Sequence, residues 1–171
     1  IGTDGVLRVG VNSSNAPFSA QVSGSIVGID VDVAAALADE MGLALEIVDV
    51  GNDAEGALKN KTVDVIMTVS TTDTTATCWS SDPYIESAVV LFAKSSTEAL
   101  PTKAKVEKGA IEAQASSMSA WEVSSQFGDE ALKSVNDLKT AFTDLNSGTT
   151  KYVASDAIIG SYVANSISIP V

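Results

Sequence analysis

Short β-branched runs alternate with stretches of helical periodicity along the whole chain, and this alternation limits the fold more than any other feature. Strands that recur with a helix between them build a mainly parallel sheet with helices packed on it. Val6 to Val11 reads as a buried strand. A helix from Asp30 to Met41 follows, with Val33, Leu37, Ala38 and Met41 at helical spacing, Asp residues in its first turn and Gly42 just past its end. Leu43 to Val50 reads as a strand, Asp53 to Asn60 as a short helix, and Val63 to Met67 as a third strand. These steps amount to two βαβ units.

The Thr-rich stretch from Thr68 to Thr77 is too polar for a core element but rich in hydroxyls that hydrogen-bond a ligand or cap a helix, so it reads as a functional loop. Ala88 to Ala93 is predicted to be a buried strand, and polar Lys94 to Lys108 follows it. The lobe boundary is placed there, giving a first α/β lobe over 1–94 and a second over 95–171. In the second lobe the pattern predicts strands at Gly109 to Ala113, Lys133 to Val135, Tyr152 to Ser155 and Ser166 to Val171. Helices are predicted over Ser117 to Phe127, Asp137 to Leu145 and Asp156 to Asn165.

Composition removes whole classes of function. The chain has no histidine, so histidine bases, Ser/His triads and imidazole metal sites are excluded. Ten basic against 22 acidic residues leave a net charge of −12, which repels nucleic-acid backbones and anionic lipid alike. The lone Cys78 has no partner within the chain for a disulfide. No apolar run approaches the roughly 20 residues that span a bilayer, and the start at Ile1 lacks a signal-peptide pattern, as expected of a mature or trimmed chain. Asp30 and Asp32 at a helix start read as caps rather than metal ligands, because the remaining ligands and glycine turn of a calcium loop are missing. No cofactor is expected. Phe18, Trp79, Tyr84 and Trp121 each read first as packing residues and second as ligand contacts.

Five segments occur in order: Leu7 to Val11, Ala16-Pro17-Phe18, Gly28 to Ala34, Val63 to Ile66, and Ser81-Asp82-Pro83-Tyr84. Together they resemble the amino-acid-type solute-binding proteins of ABC importers, related to the ligand-binding cores of ionotropic glutamate receptors, over essentially the whole chain. The resemblance implies a two-lobed, periplasmic-binding-protein-like α/β fold that closes by hinge motion around a solute. It implies an extracytoplasmic protein, periplasmic or a cell-surface lipoprotein, with an ABC permease as partner. The family's chain returns to the first lobe, so the expectation is that this return segment is missing here, or that a second copy covers the open sheet edge by dimerisation or swapping.

The resemblance also places a ligand site at Asn15, Phe18, Thr71, Thr74, Ser117 and Asp156. Asn15 stands where the family often has a stacking aromatic. Thr71 matches the family's Thr, and Thr74 falls where the family has an Arg that grips the ligand carboxylate. The chain's single arginine, Arg8, lies in the first strand and is a poor substitute. Gln114 to Met118 resembles Gln-x-Gly-Ser-Thr, with Ser116 in place of glycine and Ser117 as cap or ligand donor. Asp156 matches an Asp that pairs with the ligand ammonium, and reads equally as a helix cap. The expected function is non-catalytic binding of a small amine-bearing solute, an amino acid or related compound, whose carboxylate is absent, masked or weakly held. The rivals are a receptor's ligand-sensing domain and a dehydratase on the same scaffold.

Overall fold

A computed structural model describes residues 2–67, 77–94 and 99–171. The chain divides into two compact units, Ile1–Tyr84 and Ile85–Val171. The first begins with β1 (Val6–Val11), an apolar strand whose Leu7, Val9 and Val11 are buried on one face. Three short antiparallel strands follow, β2 (Ser14–Asn15), β3 (Ser19–Val22) and β4 (Ser25–Val27). Then come α1 (Ile29–Glu40), β5 (Ala44–Asp49), α2 (Ala54–Lys59) and β6 (Val65–Ile66). The parallel sheet has the order β5-β1-β6, with Val6 opposite Ala44 and Val9 opposite both Ile47 and Val65.

Helix α1 meets the sheet through Asp30, Ala34 and Ala38, spaced four residues apart, so small side chains make the contact. Leu37 and Met41, read from the sequence as part of the buried stripe, are exposed instead. Gly28 precedes the helix at φ 138°, where a Cβ would collide with the carbonyl oxygens of Pro17 and Phe18. The predicted third strand shortens to Val65–Ile66.

The second unit comprises β7 (Val89–Phe92), β8 (Ile111–Gln114), α3 (Met118–Phe127), β9 (Leu132–Val135), α4 (Leu138–Ser147), β10 (Tyr152–Asp156) and α5 (Ala157–Ser166). Its sheet has the order β7-β10-β8-β9, with β7 antiparallel and the others parallel. Ile111, Ala113 and Ala154 pack with Ala120 and Val123 of α3 on one face. On the other, Val153 packs with Ala141, Phe142 and Leu145 of α4 and Ala164 of α5.

Three expectations are corrected here. Residues 85–94 belong with the second unit, because Leu91 and Phe92 pair with Ala154 and Val153 of β10. Strand β7 is only partly buried, and among the described residues it pairs with β10 alone. The predicted last strand does not form: Ser166 ends α5, Ser168 adopts φ 58°, and Ile169 N–H donates back to Ala164. Pro170, with no N–H to give, does not extend a ladder there.

Candidate functional site

Open α/β sheets bind ligands beyond the carboxyl ends of their strands. In the first unit those ends carry a rim of amides and carboxylates. Past β1, Asn12 donates to Asn52 Oδ1 at 3.0 Å and accepts from Ser14 N–H. Asp49, at the end of β5, accepts from Ser13 Oγ at 2.5 Å and from the N–H groups of Ser13 and Gly51. The Ser13 hydroxyl, with these amides, holds the Asp49 carboxyl below its usual range, so it stays ionised. Asn15 sits half-buried in β2 opposite Ser19, and Phe18, 8% exposed, is part of the core. Thr71 and Thr74 lie outside the described residues. Thr77 donates through N–H and hydroxyl to Glu55 of α2, which also pairs with Lys59.

Arg8 is engaged by Asp64. Its Nε and Nη2 make a fork on the two oxygens of Asp64, each at 3.1 Å, and the N–H groups of Gly2 and Arg8 add two more bonds to that carboxylate. Arg8, together with these amides, holds the Asp64 carboxyl far below its usual range. Asp30 does not cap α1. Gly28 is the cap residue, and the buried Asp30 carboxylate accepts from Tyr84 Oη at 2.8 Å and Ser19 Oγ at 3.3 Å. Burial raises its pKa, against the two hydroxyls. No local sequence pattern links Tyr84 to Asp30, since the two residues are far apart along the chain. Trp79, expected to pack, is 87% exposed.

In the second unit β8 runs into α3 through a tight turn. Ser116 sits at φ 59°, the conformation for which the resembled glycine is suited. Ser117 then caps α3: its Oγ accepts from Ala120 N–H at 3.1 Å and donates to Gln114 C=O at 2.7 Å. Among the described residues the N–H groups of Met118 and Ser119 donate to no carbonyl, so the helix entrance keeps free donors. Asp156 caps α5, with Oδ1 accepting from Ile158 and Ile159 N–H at 2.9 and 3.0 Å. Its Oδ2 accepts no hydrogen bond among the described residues. The structure thus gives Ser117 and Asp156 their capping roles and leaves each at the carboxyl end of a parallel strand. Trp121, expected to pack, is exposed. A cavity of about 90 Å³ between β7 and α3, lined by Val89, Leu91, Val123 and Phe127 among others, is well below the ~300 Å³ of ordinary ligand pockets.

The sequence profile of the bacterial extracellular solute-binding proteins, family 3, matches residues 7–158. The chain belongs to that family. Among solved structures, an ancestral cationic amino acid solute-binding protein, AncCDT-1, is 25% identical at a TM-score of 0.77, over 94% of this chain and 73% of that one. The arginine-bound, truncated ArgBP of T. maritima is 27% identical at a TM-score of 0.60, over 99% of this chain and 82% of that one. The L-cystine solute receptor of Neisseria gonorrhoeae, 21% identical at a TM-score of 0.77 over 96% of this chain and 70% of that one, shares the fold. No curated protein matches the chain. Family membership makes this an extracellular solute-binding protein of periplasmic-binding-protein fold, and it is shorter than these solved relatives. Among the described residues no helix is long and apolar enough to cross a membrane.

Proposed function

We propose that this family member captures a small amine-bearing solute, an amino acid or a related compound, without chemical change, for delivery to an ABC permease. The observation that carries the reading is the fork between Arg8 and Asp64. The chain's only guanidinium is committed to a structural carboxylate, so a ligand carboxylate has no such partner, while Asp156 Oδ2 remains open for an ammonium. The ancestral cationic amino acid solute-binding protein and the arginine-bound ArgBP agree with an amine as the recognised group.

Isothermal titration with amino acids, amines and short peptides tests this, and Asp156→Asn is the decisive variant. Asn caps a helix about as well as Asp, so α5 and the melting temperature are preserved while the charge is lost. Amine affinity should fall about 10-fold. Tight binding of an acidic amino acid, unaffected by Asp156→Asn, ends the proposal.

A second reading has one observation in its favour, since AncCDT-1 is described as a precursor of cyclohexadienyl dehydratase. An enzyme of that kind must hold an anionic substrate, and the engaged arginine argues against it. Turnover of a cyclohexadienyl acid by the purified protein would establish it. Among the described residues the outer edge of β6 pairs with no further strand, and we assign it to strand addition; the particle's mass in solution tells a second copy from a monomer.

A further inference from the structure

Strand β7 lies within a run from Ala88 to Ala93 that holds no charge, proline or glycine, and Ile85 to Val89 are exposed. Edge strands are ordinarily blunted by such residues, because their unpaired backbone groups template another strand. Ala157 N–H donates to Ala88 C=O, and Val90 and Phe92 follow at spacing two, so these three residues turn their backbone groups to β10. Val89 and Leu91 turn theirs outward, where among the described residues no strand meets them. The side chains of Val89 and Leu91 also line the apolar groove against Val123 and Phe127 of α3. One edge therefore offers backbone bonds and a seat for apolar side chains together.

The charges that flank the strand select its occupant. Glu86 and Lys94, both exposed, each lie four residues from Val90. Two copies of the chain paired antiparallel about Val90 oppose Val89 to Leu91, and Glu86 to Lys94, twice each. The first pairing joins the outward backbone groups and sets the second copy's Val89 and Leu91 on the face of the groove. The second pairing closes an ion pair at each end. Lys94 Nζ donates to Asn146 C=O at 2.7 Å, and an ammonium has two further protons for a carboxylate. Repulsion between copies is also least here, since seven lysines against ten carboxylates leave the second unit at −3 while the first carries −9. We propose that β7 is a self-association edge, at which the β7 of a second copy adds antiparallel about Val90 and joins two four-stranded sheets into one. Strands this short bury little area, so the dimer is a weak, concentration-dependent one.

Sedimentation velocity on the whole chain, over a concentration series of about 100-fold, should show a monomer–dimer equilibrium. Glu86→Lys sets a lysine against Lys94 of the second copy, and Lys94→Glu sets a glutamate against its Glu86, so either change alone should weaken the dimer about 10-fold. Mixed in equal amounts, the two variants should associate as tightly as the unmodified protein, because the mixed pair opposes unlike charges at both ends. The chain carrying both changes should do the same. A monomer at every concentration overturns the inference. So does a dimer that either single variant leaves at full strength, or that the mixture fails to restore, since the contact then lies elsewhere, for instance at the edge of β6.

Discussion

In the second unit helices close both faces of the sheet with apolar side chains, α3 over Ile111, Ala113 and Ala154, and α4 and α5 over Val153. The first unit gathers Leu7, Val9 and Val11 under α1 and gives the other face of β1 to Arg8 and Gly10. One sheet is thus sealed largely by hydrocarbon, the other partly by an ion pair. Each unit also bonds a carboxylate to a basic side chain, Asp64 half-buried in the first and Glu112 fully buried in the second, and here the contrast reverses. Asp64 in the first unit has four hydrogen bonds across its two oxygens. Glu112 in the second, 0% exposed on β8, is bonded to Lys133 at 2.6 Å through Oε1, while Oε2 has no partner among the described residues. A second carboxylate, Asp144 of α4, lies 3.4 Å from the same ammonium. The well-packed unit therefore carries the poorly satisfied charge.

The largest effect should come from the hydrocarbon side. Phe142 is fully buried and meets Phe92 edge to face, with centroids 5.2 Å apart, so Phe142→Ala should cost about 4 kcal/mol by urea denaturation. Hydrogen exchange should locate the loss in β7 and β10. An equal loss of protection in β1 and β5 would break the division into two units.

Next comes Lys133→Ala, which strands Glu112 and should cost about 2 kcal/mol at pH 7. Burial raises the Glu112 pKa, so its favourable contribution is complete below the unfolded carboxyl range, about 4.3, and is lost as pH rises through the folded value. The variant should therefore recover stability as pH falls from 7 toward 4. Asp64 has the opposite sign: its depressed pKa contributes stability above the unfolded range, about 3.9, that is lost as pH falls further. Exchange protection in β1 should hold down to about pH 4 and then drop, while protection in β8 should rise as pH falls from 7 toward about 4 and then level off. Parallel pH profiles in the two units would refute the contrast.

Ser117→Ala should cost about 1 kcal/mol through loss of the α3 cap, read as a lower melting temperature. The smallest effect has the opposite direction. Ser116→Gly should stabilise the second unit by about 0.5 kcal/mol, because it relieves a left-handed serine at some cost in chain entropy.

The parallel core was legible because apolar runs such as Val6 to Val11 and Tyr152 to Ser155 supply most of the buried strand positions, and an apolar run signals that directly. The antiparallel strands β2 to β4 were passed over. Their residues are short and polar, although Ser23-Gly24 between Val22 and Ser25, with φ of 49° and 88°, is the turn signal that marks such a hairpin. At the site, the Ser117 and Asp156 caps followed from helix-start chemistry, whereas the bond from Tyr84 to Asp30 joins residues that no local pattern relates. The aromatics misled for a similar reason. Composition makes Trp a core residue on average, and the exposure of Trp79 and Trp121 is a property of tertiary position.

Strand β7 opens the second unit in sequence, yet its partner β10 comes near the end of it, with β8, α3, β9 and α4 between. On a growing polypeptide this order is a scheduling constraint. The nascent second unit can form its β8-α3-β9 step by local contacts, but β7 must wait unpaired until β10 has emerged, and closing that long loop is the slow event. Until then its Val-Val-Leu-Phe run is open to any other strand edge, which makes the interval before β10 appears the time at which a chaperone has most to protect.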